Sequence, residues 1–176
     1  SVTIETNKGI NTSVCSHKPI SRSYFKMIEI LNNFDFKFSK QNNNIKTFHL
    51  AEGPGGFIEA IVKMRKNKND TYYGMTLMDN DVDVPKWNKI SNLVKENNNI
   101  KLICGPKNDG NLYFQHNLEY VTKYYSNSMH FITGDGGFDY SVDFNKQEEN
   151  SINLIYCEML YALIMQKDGG GFVLKM

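Results

Sequence analysis

Residues 49–57 (HLAEGPGGF) combine a short apolar run with a glycine-rich turn that carries an acidic residue. The glycines would let a ligand approach the backbone closely, because no Cβ atom stands in the way. Dinucleotide-binding proteins hold pyrophosphate at such a turn, but the spacing here differs from G-x-G-x-x-G and the Glu52 carboxylate would repel phosphate. The turn therefore favours a zwitterionic ligand with a cationic centre, such as S-adenosylmethionine. A tight turn without any ligand is the alternative.

Two further patterns could bring charged side chains to the same place. Residues 134–138 (GDGGF) expose the carboxylate of Asp135 between glycines, and residues 169–175 (GGGFVLK) form an apolar strand that ends in Lys175. Taken alone, an aspartate in a glycine-rich turn and a lysine at a strand end are each common in ordinary structure. Because the carboxyl ends of parallel strands meet at one edge of a sheet, the three patterns together predict one crevice lined by a glycine turn, a carboxylate and a lysine.

The elements that must position these residues alternate between strands and helices. Apolar spacing predicts strands at 47–51, 71–77, 100–104, 130–133 and 171–176, and helices after Ser21 as N-cap and at 57–64, 87–95, 112–125 and 147–166. This alternation predicts an α/β fold, with a mostly parallel sheet and helices on both faces, whose ligands bind where the strand order reverses. We predict an N-terminal arm or loop over residues 1–20 and one domain over 21–176.

The composition is that of an ordinary globular protein, with 40% hydrophobic residues, 22% charged residues and a formal net charge of +1. No apolar run approaches the roughly 20 residues needed to span a bilayer, so we expect no membrane partner. The cysteines Cys15, Cys104 and Cys157 are scattered along the chain. Their number and spacing argue against a disulfide framework and a zinc site, and favour a reducing compartment such as the cytoplasm. We predict no metal site.

Several ordered segments resemble the motifs of FtsJ-like RNA ribose 2′-O-methyltransferases. Residues 21–26 (SRSYFK), 52–57 (EGPGGF) and 170–175 (GGFVLK) are similar to the family's S-R-[SA]-[YFW]-F-K helix, its cofactor turn and its lysine strand. Residues 74–77 (GMTL) and 135–138 (DGGF) are similar to segments of the eukaryotic and viral mRNA cap methyltransferases. The resemblance runs from residue 21 to residue 176.

The resemblance implies a Rossmann-like methyltransferase fold and transfer of a methyl group from S-adenosylmethionine to a ribose 2′-hydroxyl of RNA, at the mRNA 5′ cap. Capped mRNA would then be the partner, together with other proteins of a capping complex. The family's final β-hairpin is expected to be missing from this chain. The asparagine-rich composition suits a large cytoplasmic DNA virus such as an asfarvirus. That source would put the protein in the host cytoplasm or the virion.

The resemblance also implies roles for individual residues. The family uses a Lys-Asp-Lys-Glu tetrad, in which Lys26 corresponds to the first lysine, Asp135 to the aspartate and Lys175 to the second lysine. The tetrad's glutamate lies on a later strand of the family fold, beyond this chain. Lys175 would take the proton of the ribose hydroxyl, Lys26 would supply a second cation, and Asp135 would hold Lys175 in position.

Binding residues follow from the same motifs. The residues implied for the cofactor are Glu52, Gly53, Pro54, Gly55, Gly56, Phe57, Thr76, Leu77, Asp109 and Asp135. Thr76 stands where many methyltransferases have a carboxylate for the cofactor ribose, and Asp109 resembles the family residue near the adenine amino group. The residues expected to contact RNA are Lys18, Arg22, Lys26 and Tyr140, with His17 nearby. Tyr24 could stack on a base, and packing in the core is its alternative.

Other functions are compatible with parts of this pattern. Methylation of rRNA or tRNA is one, although residues 135–138 favour the cap branch because rRNA-type relatives usually have Asp-x-Ala-Pro there. A second is a non-catalytic subunit that binds S-adenosylmethionine or RNA, against which the three tetrad positions argue. A nicotinamide-dependent dehydrogenase is disfavoured by the glycine spacing and by Glu52.

Overall fold

The computed structural model describes residues 3–5, 11–13, 17–36, 43–79, 86–136 and 144–176, and for 3–5, 11–13 and 144–151 the backbone alone. Its elements are, in chain order, β1 (Thr3–Glu5), β2 (Asn11–Ser13), α1 (Ser23–Asn33), β3 (Lys46–Leu50), α2 (Gly56–Arg65), β4 (Thr71–Met75), α3 (Ser91–Glu96), β5 (Ile100–Ile103), α4 (Gln115–Tyr125), β6 (Met129–Gly134), α5 (Phe144–Met165) and β7 (Gln166–Leu174).

Five strands form one parallel sheet in the order β5-β4-β3-β6-β7. The chain moves outward from β3 through β4 to β5, then returns to β6 on the other side of β3 and continues to β7. The strand order therefore reverses between β3 and β6, and this is the point at which such sheets bind ligands. The prediction of a mostly parallel α/β sheet is confirmed.

Hydrophobic cores on the two faces of the sheet hold the helices in place. On one face, α1 and α2 pack through residues such as Met27, Phe57 and Ile61, whose side chains are fully buried. On the other face, α4 and α5 pack through residues such as Val121 and Met165. Full burial of each such side chain stabilises the folded state by about 1.5 to 3 kcal/mol. Both faces of the sheet are therefore covered by a packed layer of helices.

The structure departs from the predicted elements at the N-terminal side. Within the arm predicted over residues 1–20, β1 pairs with β2 in an antiparallel register, and strands of three residues are too short to show a period in the sequence. Ser21 does not cap α1, since the residue before the helix is Arg22 and no side chain makes a capping bond. The Ser21 hydroxyl bonds instead to that of Ser23, at 2.5 Å.

The outer face of α5 carries five large apolar side chains at helical spacing that are exposed in the described part of the chain. They are Ile152, Tyr156, Met159, Leu160 and Leu163. None of the helices that the structure describes is long and apolar enough to cross a membrane.

A buried histidine links the two central strands. The His49 side chain is fully buried, and its Nδ1 lies 2.7 Å from Oγ1 of Thr133 on β6 while its Nε2 lies 2.8 Å from Oγ1 of Thr47. Burial lowers the pKa of His49 to about 3, because the charged ring would lose its hydration. The ring is therefore neutral and bridges two hydroxyl groups in the middle of the sheet.

Acidification should weaken the fold through this residue. The unfolded chain binds a proton at His49 below its ordinary pKa of 6.5, whereas the folded ring, with a pKa of about 3, does not. The contribution of His49 to the free energy of unfolding is thus fully present above pH 6.5 and is lost as the pH falls from 6.5 toward 3. The expected slope is about 1.4 kcal/mol per pH unit.

Chemical denaturation of the protein and of its His49→Gln variant, at several values between about pH 4 and 6.5, measures this contribution. The variant should lose stability less steeply on acidification. Other titrating groups are common to both proteins and cancel in the difference. Equal slopes in the two proteins would show that His49 is protonated without cost in the folded state.

Candidate functional site

The turn that follows β3 holds a buried carboxyl group. Only 1% of Glu52 is exposed, and its Oε1 accepts a hydrogen bond from the backbone N–H of Phe57 in the first turn of α2. Its Oε2 is buried and has no hydrogen-bond partner in the part of the chain that the structure describes. Burial raises the pKa of Glu52 well above its usual range, and the nearby Asp135 raises it further. Glu52 therefore presents an unpaired polar oxygen at the predicted ligand turn.

The glycines of this turn meet different constraints. Gly55 has a φ of +112°, and a Cβ atom there would lie 2.5 Å from Cδ1 of Ile90. A Cβ atom on Gly56 would overlap the hydroxyl oxygens of Ser21 and Ser23. Gly56 is thus required for the close packing of the start of α1 against the start of α2. The predicted cofactor turn and the predicted RNA-contacting helix are consequently neighbours.

The segment after β4 forms the next wall of the crevice. Thr76 is buried, and its Oγ1 accepts a hydrogen bond of 3.2 Å from the backbone N–H of Gly53. Leu77 and Met78, by contrast, are each 36% exposed. The backbone N–H of Met78 donates to the carbonyl of Asp109 at 2.8 Å, which joins this segment to the loop after β5.

Asp109 is tied into its own loop. Its carboxylate accepts bonds from the backbone N–H of Asn111 at 3.0 Å, from Nδ2 of Asn117 at 2.6 Å and from Nε2 of His116 at 2.8 Å. Partial burial raises the pKa of Asp109, but these hydrogen bonds outweigh it and the net pKa is lowered. Each carboxylate oxygen has more than one lone pair, so the predicted contact with a ligand base stays available.

The opposite wall brings two of the predicted catalytic residues together. The backbone N–H of Asp135 donates to the carbonyl of Leu50 at 3.2 Å, and that of Lys175 donates to the carbonyl of Gly134 at 2.9 Å. These bonds align the ends of β3, β6 and β7. The Lys175 Nζ atom lies 2.5 Å from Oδ1 of Asp135 and 3.3 Å from its backbone oxygen. About a third of the Lys175 side chain is exposed, so a substrate could reach it from the crevice.

A glutamate that the sequence analysis missed lies beside this pair. Glu158 on α5 is fully buried, and its Oε1 accepts a hydrogen bond of 2.9 Å from the backbone N–H of Gly136. Burial and the neighbouring Asp135 raise the pKa of Glu158 to about 7, while the Gly136 hydrogen bond and Lys175 hold it lower. The sequence did carry one signal for Glu158, since it is a charged residue on the same face of the predicted helix as the apolar residues Ala162 and Met165, which are buried.

The remaining predicted residues lie near the start of α1 or outside the described chain. Lys18, Arg22 and Lys26 are exposed, and Lys26 makes no ion pair or hydrogen bond within the described residues. Tyr24 is 9% exposed and packs edge-on against His17, so core packing is what the structure shows for it. His17 Nε2 lies 3.1 Å from Oε1 of the buried Glu59, which docks the segment before α1 onto α2. Tyr140 lies outside the described residues.

The described part of the crevice carries more acid than base. Glu52, Asp135 and Glu158 contribute three carboxyl groups, and Asp135 interacts electrostatically with each of the other two. Lys175 supplies the only cation with an ion pair to any of them among the residues described. No group of histidine, cysteine, aspartate or glutamate side chains in the described chain could hold a metal ion. The crevice therefore favours a ligand that carries positive charge.

Comparisons with known proteins identify similar chains. A sequence profile of the FtsJ-like methyltransferase family matches residues 19–176. The chain is 28% identical to a cap-specific mRNA (nucleoside-2′-O-)-methyltransferase 2 from Danio rerio, over 99% of this chain and 24% of that protein. It is 26% identical to a probable methyltransferase from African swine fever virus, over 89% of this chain and 39% of that protein. The chain thus spans well under half the length of these relatives.

A solved structure has a similar fold. The crystal structure of a ribosomal RNA methyltransferase from Plasmodium falciparum superposes with a TM-score of 0.54 at 20% sequence identity. The match covers 89% of this chain and 77% of that one. At this level of identity the similarity concerns the fold.

The loop after β5 should be sensitive to a single methyl group. Gly110 has a φ of +58°, and a Cβ atom there would overlap the carbonyl of Thr76, which is backbone and cannot rotate away. Gly169 has a φ of +72° but open space around it, so it is a matched control for backbone strain alone. We expect Gly169→Ala to cost about 1 kcal/mol and Gly110→Ala about 2 kcal/mol more, because overpacking adds to the strain. Urea denaturation of both variants measures the difference, and equal losses would mean that the loop moves aside freely.

Proposed function

Because the chain belongs to the FtsJ-like methyltransferase family, we propose that it transfers a methyl group from S-adenosylmethionine to a ribose 2′-oxygen at the 5′ cap of mRNA. The observation that carries the proposal is the ion pair between Asp135 and Lys175 at the reversal point of the sheet, opposite the Glu52 turn. The cap as the substrate is supported by the similarity to a protein named as cap-specific.

The crevice fits S-adenosylmethionine by its charge and by its unused polar atoms. The cofactor carries a sulfonium and an amino group, and the crevice offers the carboxyl groups of Asp135 and Glu52, the latter with its unpartnered buried Oε2. The residues that would hold it are the glycine turn 52–57, Thr76, Leu77, Asp109 and Asp135. When bound, it would supply a methyl group that is activated by the positive charge on sulfur.

The chain's own residues would prepare the acceptor oxygen. A ribose hydroxyl is a weak nucleophile at neutral pH and must be oriented and relieved of its proton. Lys175 would hold that hydroxyl through Nζ and accept its proton, while Asp135, 2.5 Å away, keeps Nζ at the strand end. Lys26 would contribute a second cation from α1. Part of the rate gain would come from holding the oxygen in line with the transferred group.

The start of α1 would guide the RNA. Lys18, Arg22 and Lys26 are exposed there, and the packing of Ser21 and Ser23 on Gly56 puts this basic edge beside the cofactor turn. Phosphate groups of single-stranded RNA bind such edges through charge, with little dependence on sequence. Tyr140 is proposed as a base-stacking residue.

The setting of the reaction follows from the same proposal. Capped mRNA and other proteins of a capping complex would be its partners. Cys104 and Cys157 are both free thiols, as a reducing compartment such as the cytoplasm would allow. The similarity to a protein of African swine fever virus supports the proposed source in a large DNA virus.

Methyl transfer from labelled S-adenosylmethionine to short capped and uncapped RNAs tests the function, with nuclease mapping of the product. We expect label on a ribose 2′-oxygen beside the cap. Lys175→Met should lower the rate by about 10²- to 10⁴-fold, because the group that takes the proton is gone. Its affinity for S-adenosylmethionine, measured by calorimetry, should stay within about threefold, since transition-state interactions rather than ground-state binding are lost.

Lys167→Met is the matched control. Lys167 belongs to the same strand, but its Nζ lies 3.4 Å from Nε2 of His130, which follows the first residue of β6 at the opposite end of the sheet, so its loss should leave transfer unchanged. Full activity of Lys175→Met would exclude Lys175 as the base. Cofactor binding without transfer to any RNA would instead favour a non-catalytic subunit, and label within uncapped RNA alone would favour rRNA or tRNA as the substrate.

A further inference from the structure

The turn that carries Asp135 rests on a carboxyl group from α5. Glu158 accepts a hydrogen bond from the backbone N–H of Gly136 at 2.9 Å. A Cβ atom on Gly134 would lie 2.9 Å from Cδ of Glu158, and one on Gly136 would lie 2.8 Å from its Oε1. Glu158 therefore packs closely against the glycines on both sides of Asp135, together with Leu174 beside Gly134 and Leu154 beside Gly136.

The other oxygen of the same carboxyl group is unpaired among the described residues. Glu158 Oε2 is buried and has no hydrogen-bond partner in the described part of the chain. Leaving a buried polar atom unpaired costs free energy, and an amide could serve as the acceptor for Gly136 equally well. A carboxyl group in place of an amide therefore indicates a role for Glu158 that depends on its charge.

The groups that surround Glu158 indicate what that charge would act on. Asp135 and Lys175 face it from the ends of β6 and β7, Tyr113 faces it from the loop before α4, and Cys157 precedes it on α5. Lys175 is the only cation among these. The ionised carboxylate would stabilise the ammonium form of Lys175, and the neutral acid would not.

We propose that Glu158 is a positioning residue of the methyl transfer, whose buried carboxyl group supports the Asp135 turn and sets the charge balance around Lys175. The inference rests on the proposed function, since it assigns Lys175 the task of accepting a proton. Glu158 acts through Asp135 and Lys175 and does not itself touch the substrate.

The two effects can be separated by substitution. Glu158→Gln keeps the acceptor for Gly136 and the side-chain volume but removes the charge, whereas Glu158→Ala removes both. Because burial raises the pKa of Glu158 to about 7, the group is ionised at alkaline pH and neutral at acidic pH. Glu119→Gln, the same change on the exposed face of α4, is the matched control.

The pH dependence of kcat tests the charge effect. In Glu158→Gln the rise of kcat with pH should move to lower pH by roughly 0.5 to 1 unit, with KM for RNA unchanged within about threefold. Glu158→Ala should lower kcat by about 10- to 100-fold, because the turn that holds Asp135 loses its support. Glu119→Gln should behave as the unsubstituted protein. Thermal melting shows whether Glu158→Ala folds, and Glu158→Gln keeps the test valid if it does not.

A second readout does not depend on activity. Competitive acetylation of lysines at a series of pH values, followed by mass spectrometry, reports the fraction of Lys175 present as the free amine. The midpoint for Lys175 should fall in Glu158→Gln, while that for Lys167 should not move. A kcat that falls equally at all pH values, with both midpoints unmoved, would reduce Glu158 to a structural residue and overturn the proposal.

The outcomes also separate this proposal from the proposed function. If the unsubstituted protein transfers no methyl group to any RNA, the proposed function fails, and the acetylation midpoint still decides whether Glu158 sets the charge of Lys175. If transfer occurs but Glu158→Gln changes neither the acetylation midpoint of Lys175 nor the pH profile of kcat, the inference about Glu158 fails and the proposed function stands.

Discussion

The parallel pairing of β3 with β6 is the constraint on which the whole site depends. Residues 47–50 pair with 131–134, so β3 and β6 end side by side at the same edge of the sheet. His49 ties the strands together through Thr133, and the Asp135 N–H extends the pairing by one more bond to Leu50. Because the connections run outward in opposite directions, the described strands leave a crevice above the two ends. The Glu52 turn and the Asp135 turn face each other there as a result.

Acidic groups accumulate at this point, and backbone amides rather than cations hold two of them. Phe57 donates to Glu52 and Gly136 donates to Glu158, in each case to one oxygen only. Each buried carboxyl group therefore keeps one oxygen unpaired among the described residues and is easier to protonate than in water. A crevice of this kind stabilises an incoming positive charge more than fully solvated carboxyl groups could, because the burial of Glu52 and Glu158 reduces screening by water.

The order of elements and much of the site were readable from the sequence, because they depend on local patterns. Alternating apolar runs defined the parallel sheet, and glycine clusters after the first and fourth of the five predicted strands marked the Glu52 and Asp135 turns. Contacts between distant elements were not readable. Gly56, predicted as a cofactor contact, also accommodates Ser21 and Ser23 at the start of α1, and Asp109, likewise predicted, also accepts hydrogen bonds within its own loop. Glu158 was missed because a helical period shows which face is buried and does not show what lies opposite.

The fit between α5 and the Asp135 turn restricts how these positions can change during evolution. A larger residue in place of Gly134 would overlap Glu158 and Leu174, and one in place of Gly136 would overlap Glu158 and Leu154, whereas a smaller residue at position 158 would only leave a cavity. Position 158 can therefore change alone, but either glycine can grow only after Glu158 and the neighbouring leucine have both made room for it. Once a glycine has been replaced, the larger side chain occupies space that the glutamate and a leucine had shared, so a lineage that takes this path cannot simply reverse it.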